Sequence, residues 1–183
     1  MERYLFVIDY QNDFVDGALG FPGAETLDAG IAAKIRAYTE SGDYIVQTMD
    51  THREDYLSTR EGKHLPVKHC IAGTDGWETY GETAKAIDEV KNSPRFRRIH
   101  KATFPVHPQD MMELLAWIGD NEITQIEFVG LVSNICVISN ICVFQGAFPL
   151  AQVLADPHLI ASHDPKAHEA VLEVMRTLQV ALL

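Results

Sequence analysis

Short apolar runs alternate along the chain with longer segments whose apolar positions recur every three to four residues. This is the pattern of strands buried on both faces, alternating with amphipathic helices. Tyr4-Leu5-Phe6-Val7-Ile8 opens the series. A helix is predicted over 26–41, with Thr26 as its cap, Leu27, Ile31, Ile35 and Tyr38 on its apolar face and Gly42 ending it. The second strand covers 44–49, a helix around 82–90 follows, and the third strand covers 96–101. Pro108 starts a helix at 109–118, in which Met112, Leu115 and Ile118 have core spacing and Gly119 is the stop. Strand four covers 125–129. Ser133 or Asn134 can cap the next helix, which runs to about Gln145 and is apolar on nearly every face, so deep burial is expected. A strand at 150–155, a helix opened by Asp164 and Pro165 with Val171, Val174 and Leu178 inward, and a strand at 179–183 complete the series. Six strands joined by right-handed crossovers make a three-layer α/β/α sandwich with a mainly parallel sheet. The polar, glycine-bearing stretch 52–81 is longer than a simple connection and is read as functional.

Composition narrows the class. With 183 residues, 46% hydrophobic and 22% charged, a single domain spanning 1–183 is expected. The net charge of -11 argues against nucleic acid or an anionic membrane as a partner. No apolar run reaches the roughly 18–20 residues of a membrane span, and Met1-Glu2-Arg3 leading into a strand does not read as a secretory leader, so a cytoplasmic location is expected. Three cysteines form no disulfide framework and leave a thiol open to chemistry.

Four of the strands run into residues that can do chemistry: Asp9, the pair Asp50 and His52, Lys101, and Cys136 shortly after the fourth. In an open α/β sheet, ligands bind outside the carboxyl ends of the strands. Cys136 falls in the first turn of a helix, where unpaired N–H groups favour a thiolate and could also stabilise an oxyanion. A small buried hydrophobe is the competing reading of a lone cysteine. Asp9 and Lys101, on strand ends expected to be neighbours, tip the balance: the carboxylate could take the thiol proton and the amine could compensate a buried negative charge. His100 precedes Lys101 on a strand and should face the other way. His158, His163 and His168 read as surface groups. Asp50-Thr51-His52 sets two ligand types on one side of an extended segment, with Glu61, His64 and His69 following. Carboxylate plus imidazole suits zinc, iron or manganese, and a solvated loop fits the same residues. Gly17, Gly20 and Gly23 lack the dinucleotide-binding spacing.

The blocks Asp9-Tyr10-Gln11-Asn12-Asp13-Phe14, Asp50-Thr51-His52, the run from Glu61 to Thr74, Lys101-Ala102-Thr103-Phe104, and Gly130-Leu131-Val132-Ser133-Asn134-Ile135-Cys136-Val137 together resemble the isochorismatase-like cysteine hydrolases, nearest to their nicotinamidase members. The resemblance extends from residue 4 to about 155. It implies a triad of Cys136, Asp9 and Lys101 that cleaves a small amide through a thioester and releases ammonia. It also implies one divalent metal, zinc by expectation with iron or manganese as alternatives, on Asp50, His52, His69 and Glu61, with His64 as the substitute for Glu61. A non-proline cis peptide at Leu131-Val132 and an oxyanion hole from the Val132 and Cys136 N–H groups follow from the same resemblance. Phe14 matches an aromatic that packs on the substrate ring. The segment Leu65-Pro66-Val67-Lys68-His69 departs from the Trp-Pro-x-His typical of nicotinamidases, so Trp77 or Phe104 is expected to complete the pocket. A sister hydrolase of another small amide, ureido or carbamoyl compound is the alternative. A homodimer or homotetramer is expected.

Overall fold

The computed structural model of the chain describes residues 2–183, so Met1 of the expected domain lies outside the described residues. Strands β1 (Glu2–Ile8), β2 (Tyr44–Asp50), β3 (Phe96–Lys101), β4 (Ile123–Leu131), β5 (Gln152–Ala161) and β6 (Ala181–Leu182) form one sheet in the order β3-β2-β1-β4-β5-β6. Every pair is parallel. The crossovers that parallel pairing demands contain α1 (Asn12–Val15), α2 (Asp28–Glu40), α3 (Arg60–His64), α4 (Gly81–Val90), α5 (Pro108–Ile118), α6 (Ile138–Ala147) and α7 (Pro165–Thr177). Among the described residues, no helix is long and apolar enough to cross a membrane.

The period-two geometry of β1 explains the layering. Tyr4, Phe6 and Ile8 enter one core with Leu114 of α5, Phe144 of α6 and Met175 of α7. Leu5 and Val7 enter the other with Ile31 and Ile35 of α2 and Ile87 of α4. All five are fully buried, and removing each such side chain from water stabilises the fold by about 1.5–3 kcal/mol.

Several element details differ from the sequence expectation. In α5 the buried residues are Met111, Leu114 and Ile118, whereas Met112 is 71% and Leu115 38% exposed. Two helical turns span about seven residues, so Met111 and Ile118 share a face that Met112 and Ile118 do not. Thr26 caps nothing. It lies in a 3₁₀ turn over Ala24–Leu27, with its hydroxyl donating to Gly23 O, and α2 starts at Asp28. The Asp28 carboxylate instead caps α4, accepting from Glu82 N at 2.7 Å and Thr83 N at 2.8 Å. Neither Ser133 nor Asn134 caps α6, which is preceded by a π-helical turn over Ser133–Val137. The helix buries Asn140, Ile141 and Phe144 but leaves Cys142 and Gly146 exposed. β5 begins two residues later than expected and runs further, leaving Leu150 exposed. The stretch 52–81 contains α3 and 3₁₀ turns over Tyr56–Ser58 and Asp75–Trp77.

The chain runs outward through β1, β2 and β3 and then returns to lay β4 on the other side of β1. That reversal opens a crevice at the carboxyl ends of β1 and β4. Gly130, near the end of β4, has φ 114, and a Cβ there would sit 2.0 Å from Ile8 O. Only glycine permits the two strand ends to approach this closely.

Candidate active site

Asp9 follows β1 directly, with a left-handed backbone, φ 44. Its Oδ1 accepts from Thr48 Oγ1 at 2.7 Å, while its Oδ2 lies 2.6 Å from Lys101 Nζ and lacks a well-aligned donor. Lys101, the last residue of β3, is 1% exposed and reaches under β2 to this point. Its amine also lies 3.7 Å from Cys136 Sγ and 3.6 Å from Asp50 Oδ1, and donates to Thr103 O at 3.1 Å. Asp9, Lys101 and Cys136 are therefore brought together from β1, β3 and the turn after β4. His100 is exposed on the opposite face, its ring centroid 5.2 Å from that of Trp77.

The electrostatics follow from burial. Desolvation pushes the Asp9 carboxyl above its ordinary range against the opposing pull of Lys101. Burial also pushes the Cys136 thiol up, opposed by Lys101 and reinforced by the charges of Asp9 and Asp50. Lys101 stays charged: burial works against its ammonium, but Asp9, Cys136 and Asp50 together outweigh it and raise its pKa. The site thus disfavours a thiolate on Cys136, makes the Asp9 carboxyl more basic than usual and favours the charged form of Lys101.

Beside this triad, one donor atom from each of Asp50, His52, Glu61 and His69 converges, all within 4.8 Å of one another. His52 Nε2 is 3.0 Å and His69 Nε2 3.3 Å from Asp50 Oδ2, and the same nitrogens are 3.6 and 3.8 Å from Glu61 Oε1. The backbone explains the convergence. Gln11, fully buried, accepts from Asp50 N at 2.7 Å and donates to Asp50 O at 2.9 Å, pinning the end of β2. His52 then pairs with the returning loop through His52 N to Cys70 O and Ala72 N to His52 O, both 2.9 Å. Cys70 at φ 44 turns that loop, held by Asp13 Oδ2, which accepts from its N–H at 2.7 Å. His69 Nδ1 bonds Val67 O at 2.8 Å, which leaves Nε2 facing the cluster, the outer-sphere arrangement typical of a metal-ligating imidazole. Thr59 caps α3 and so presents Glu61, which Tyr56 also contacts. Burial and the neighbouring Asp50 charge push the Glu61 carboxyl up. Two carboxylates that repel and two imidazole nitrogens aimed at the same point fit a divalent cation. His64 is exposed and lies outside the cluster.

Cys136 of the triad and Asp50, Glu61 and His69 of the cluster line one cavity of about 400 Å³, together with Val132, Phe14, Leu65, Phe104 and His163. Phe14 packs near His69, with ring centroids 5.5 Å apart. The Leu131-Val132 peptide is cis. Trp77 is not part of the lining, in contrast to the expectation: its indole donates to Thr51 Oγ1 at 2.9 Å on the far side of β2's extension. Sequence reasoning missed other participants. Thr48 and Gln11 are buried polar residues at strand ends, a detectable signal, but their partners are far off in sequence. His163 is exposed, as expected of a surface group, and also stands at the cavity wall with its ring near Phe21. His168 is half-buried and bonds Ser133. Asn140, fully buried in α6, donates to Cys136 O at 2.8 Å and to Phe104 O at 3.1 Å.

Comparison with known proteins places this geometry in context. A family model described as the isochorismatase domain matches residues 3–183. The nicotinamidase/pyrazinamidase of Mycobacterium tuberculosis is 29% identical over a 190-residue alignment that covers 99% of this chain and 98% of that one. The crystal structure of nicotinamidase/pyrazinamidase PncA from Bacillus subtilis superposes with a TM-score of 0.86 at 28% identity, covering 99% of this chain and 100% of that one. The pyrazinamidase of Pyrococcus horikoshii, solved in complex with zinc, shares the fold with a TM-score of 0.80 at 24% identity, covering 100% of this chain and 99% of that one.

Proposed function

The chain belongs to the isochorismatase domain family, and we propose that within it the protein is an amidohydrolase of the nicotinamidase type, converting nicotinamide to nicotinate and ammonia. The observation that carries this reading is the Lys101 amine set between Asp9 and the Cys136 thiol, with a four-donor cluster opening into the same cavity.

In this mechanism Asp9 takes the thiol proton, and Lys101 holds the resulting thiolate by charge. The sulfur attacks the carboxamide carbon, and the carbonyl oxygen becomes an anion received by the N–H groups of Val132 and Cys136. Asp9 returns the proton to the departing nitrogen, the C–N bond breaks, and ammonia leaves a thioester on Cys136. Asp9, again a carboxylate, deprotonates a water that attacks the thioester. The C–S bond breaks, the acid is released and the thiol recovers its proton. Lys101 cannot act as the base, because its neighbours stabilise its charged form. A divalent metal, zinc by analogy with the complexed relative, would be held by Asp50, His52, Glu61 and His69 and would supply a Lewis-acid contact for the pyridine nitrogen. Phe14 and Phe104 confine the ring, and the apolar lining limits the access of bulk water.

The test is ammonia release from nicotinamide and from benzamide, which has the same amide without the ring nitrogen. Nicotinamide is expected to be cleaved at least about tenfold faster in kcat/KM, the loss of one good polar contact. Equal rates on both would remove ring-nitrogen recognition from the reading. A second reading, a sister hydrolase of another amide, ureido or carbamoyl compound, is favoured by one observation: Leu65, and no tryptophan, lines the cavity. Turnover of such compounds with none of nicotinamide would establish it instead.

A further inference from the structure

The turn that carries the nucleophile is tied to a helix that supplies no group to the reaction. Ser133 Oγ and His168 Nδ1 share a hydrogen bond of 2.9 Å, joining the π-helical turn Ser133–Val137 to the first turns of α7. We propose that His168 is a positioning residue for catalysis, acting through Ser133 to hold the Val132 and Cys136 N–H groups where the oxyanion forms. The inference rests on the amidohydrolase reading above.

The geometry supports it at each link. Ser133 is fully buried, and a buried hydroxyl without a partner is costly. The hydroxyl bonds the His168 ring and not the backbone of its own turn. The residue follows Val132 directly and precedes Cys136 by one short turn, with Ile135 N and Val137 N both donating to Val132 O at 3.1 and 3.2 Å. A shift of Ser133 therefore moves both oxyanion donors. The far end of the turn is already fixed by Asn140 donating to Cys136 O, which leaves the Ser133 end to His168. His168 is itself well anchored. Pro165 stands at the start of α7, Asp164 caps it by accepting from Lys166 N at 2.9 Å and Ala167 N at 3.3 Å, and His168 N donates to Asp164 O at 2.9 Å. Oxyanion donors act on the transition state far more than on the bound substrate, so loosening them should lower kcat and spare KM.

The experiment compares His168→Leu, His168→Asn, Ser133→Ala and the double variant Ser133→Ala/His168→Leu with the wild-type protein, all metal-replete and all shown to be folded by circular dichroism and thermal melting. For the amide that the wild type cleaves, His168→Leu is expected to lose roughly tenfold or more in kcat with KM within about twofold. His168→Asn, whose amide can reach the position of Nδ1, should recover most of the loss. Ser133→Ala should match His168→Leu, and the double variant should be no slower than either, because both break one link. A folded His168→Leu with kcat within about twofold of wild type, or a double variant whose losses multiply, overturns the proposal. If the wild type cleaves no amide, the enzymatic reading fails separately. The same variants are then compared by the rate of Cys136 alkylation with iodoacetamide, since the turn's N–H groups also favour the thiolate. A change of about threefold in His168→Leu and Ser133→Ala alike supports the positioning link, and unchanged rates overturn it.

Discussion

Lys101 carries the most consequential single charge in the molecule. Its ammonium is buried between Asp9 at 2.6 Å and Asp50 at 3.6 Å and lies 3.7 Å from the Cys136 sulfur. Replacing it by an uncharged side chain of similar length would strand the buried Asp9 carboxylate, whereas Asp50 keeps His52 and His69 beside it. Removing one partner of a buried ionic group costs about 3–5 kcal/mol. Lys101→Met should therefore lose activity and also lower the unfolding free energy clearly, whereas Cys136→Ala should abolish turnover and leave the unfolding free energy within about 1 kcal/mol of wild type, because a thiol-to-methyl change removes no charge. Equilibrium urea unfolding with activity on the same preparations separates the two; a Lys101→Met protein as stable as wild type would show that the Asp9 carboxylate finds other compensation. Asp9, Asp50 and Lys101 were legible because each stands at or just past the end of a predicted strand, and strand order then brings them together. Thr48, Asn140 and His168 were not, since their roles depend on hydrogen bonds across 39, 36 and 35 positions of sequence. Pattern along the chain carries no record of such pairings.

At the scale of elements, apolar pattern identifies a helix more reliably than it identifies the buried face. The sequence of α5 offers two overlapping stripes, and packing against the sheet selects Met111, Leu114 and Ile118. A charge on the chosen stripe must be buried or must displace the helix, so Met111→Lys should destabilise the protein by about 2–5 kcal/mol. Met112→Lys, on the exposed side, should fall within about 0.5 kcal/mol of wild type. Chemical denaturation of the pair reads the orientation of the helix directly, and equal effects would contradict the packing described. Helix starts were misread for a related reason. Thr26 and Ser133 both have the residue type of a cap, but the hydroxyls serve Gly23 and His168 instead. The strands were placed within a few residues because burial on both faces of a parallel sheet leaves little freedom, and only β5, whose pairing with β4 shifts register between Ala155 and Ile160, ran well past its expected end.

For the whole molecule, a cation held by the donor cluster would also act as a clasp. Asp50 ends β2, while His52 follows it, Glu61 stands on α3 and His69 lies in the returning loop, so a cation bound there would tie the stretch 52–81 to the central sheet. Without it, two carboxylates face each other across imidazole nitrogens, an arrangement that repels. A ligand that binds only the folded state stabilises it by about 2.7 kcal/mol at a hundredfold excess over its Kd. For a domain of this size, about 2–4 °C of melting temperature corresponds to each kcal/mol. Stripping the protein with a chelator is thus expected to lower Tm by roughly 5–10 °C, and stoichiometric zinc should restore it. His52→Ala should melt near the stripped value and show little response to chelator or zinc, because one of the four donors is gone. Amide hydrogen exchange should localise the loosening to 52–81 and leave β1 and β4 protected, since those strands are held by the two cores and not by the clasp. A wild-type Tm that ignores both chelator and zinc would show that the loop is held by its own contacts, through Gln11, Asp13 and Tyr56, and that these four side chains do not bind the metal in the folded protein.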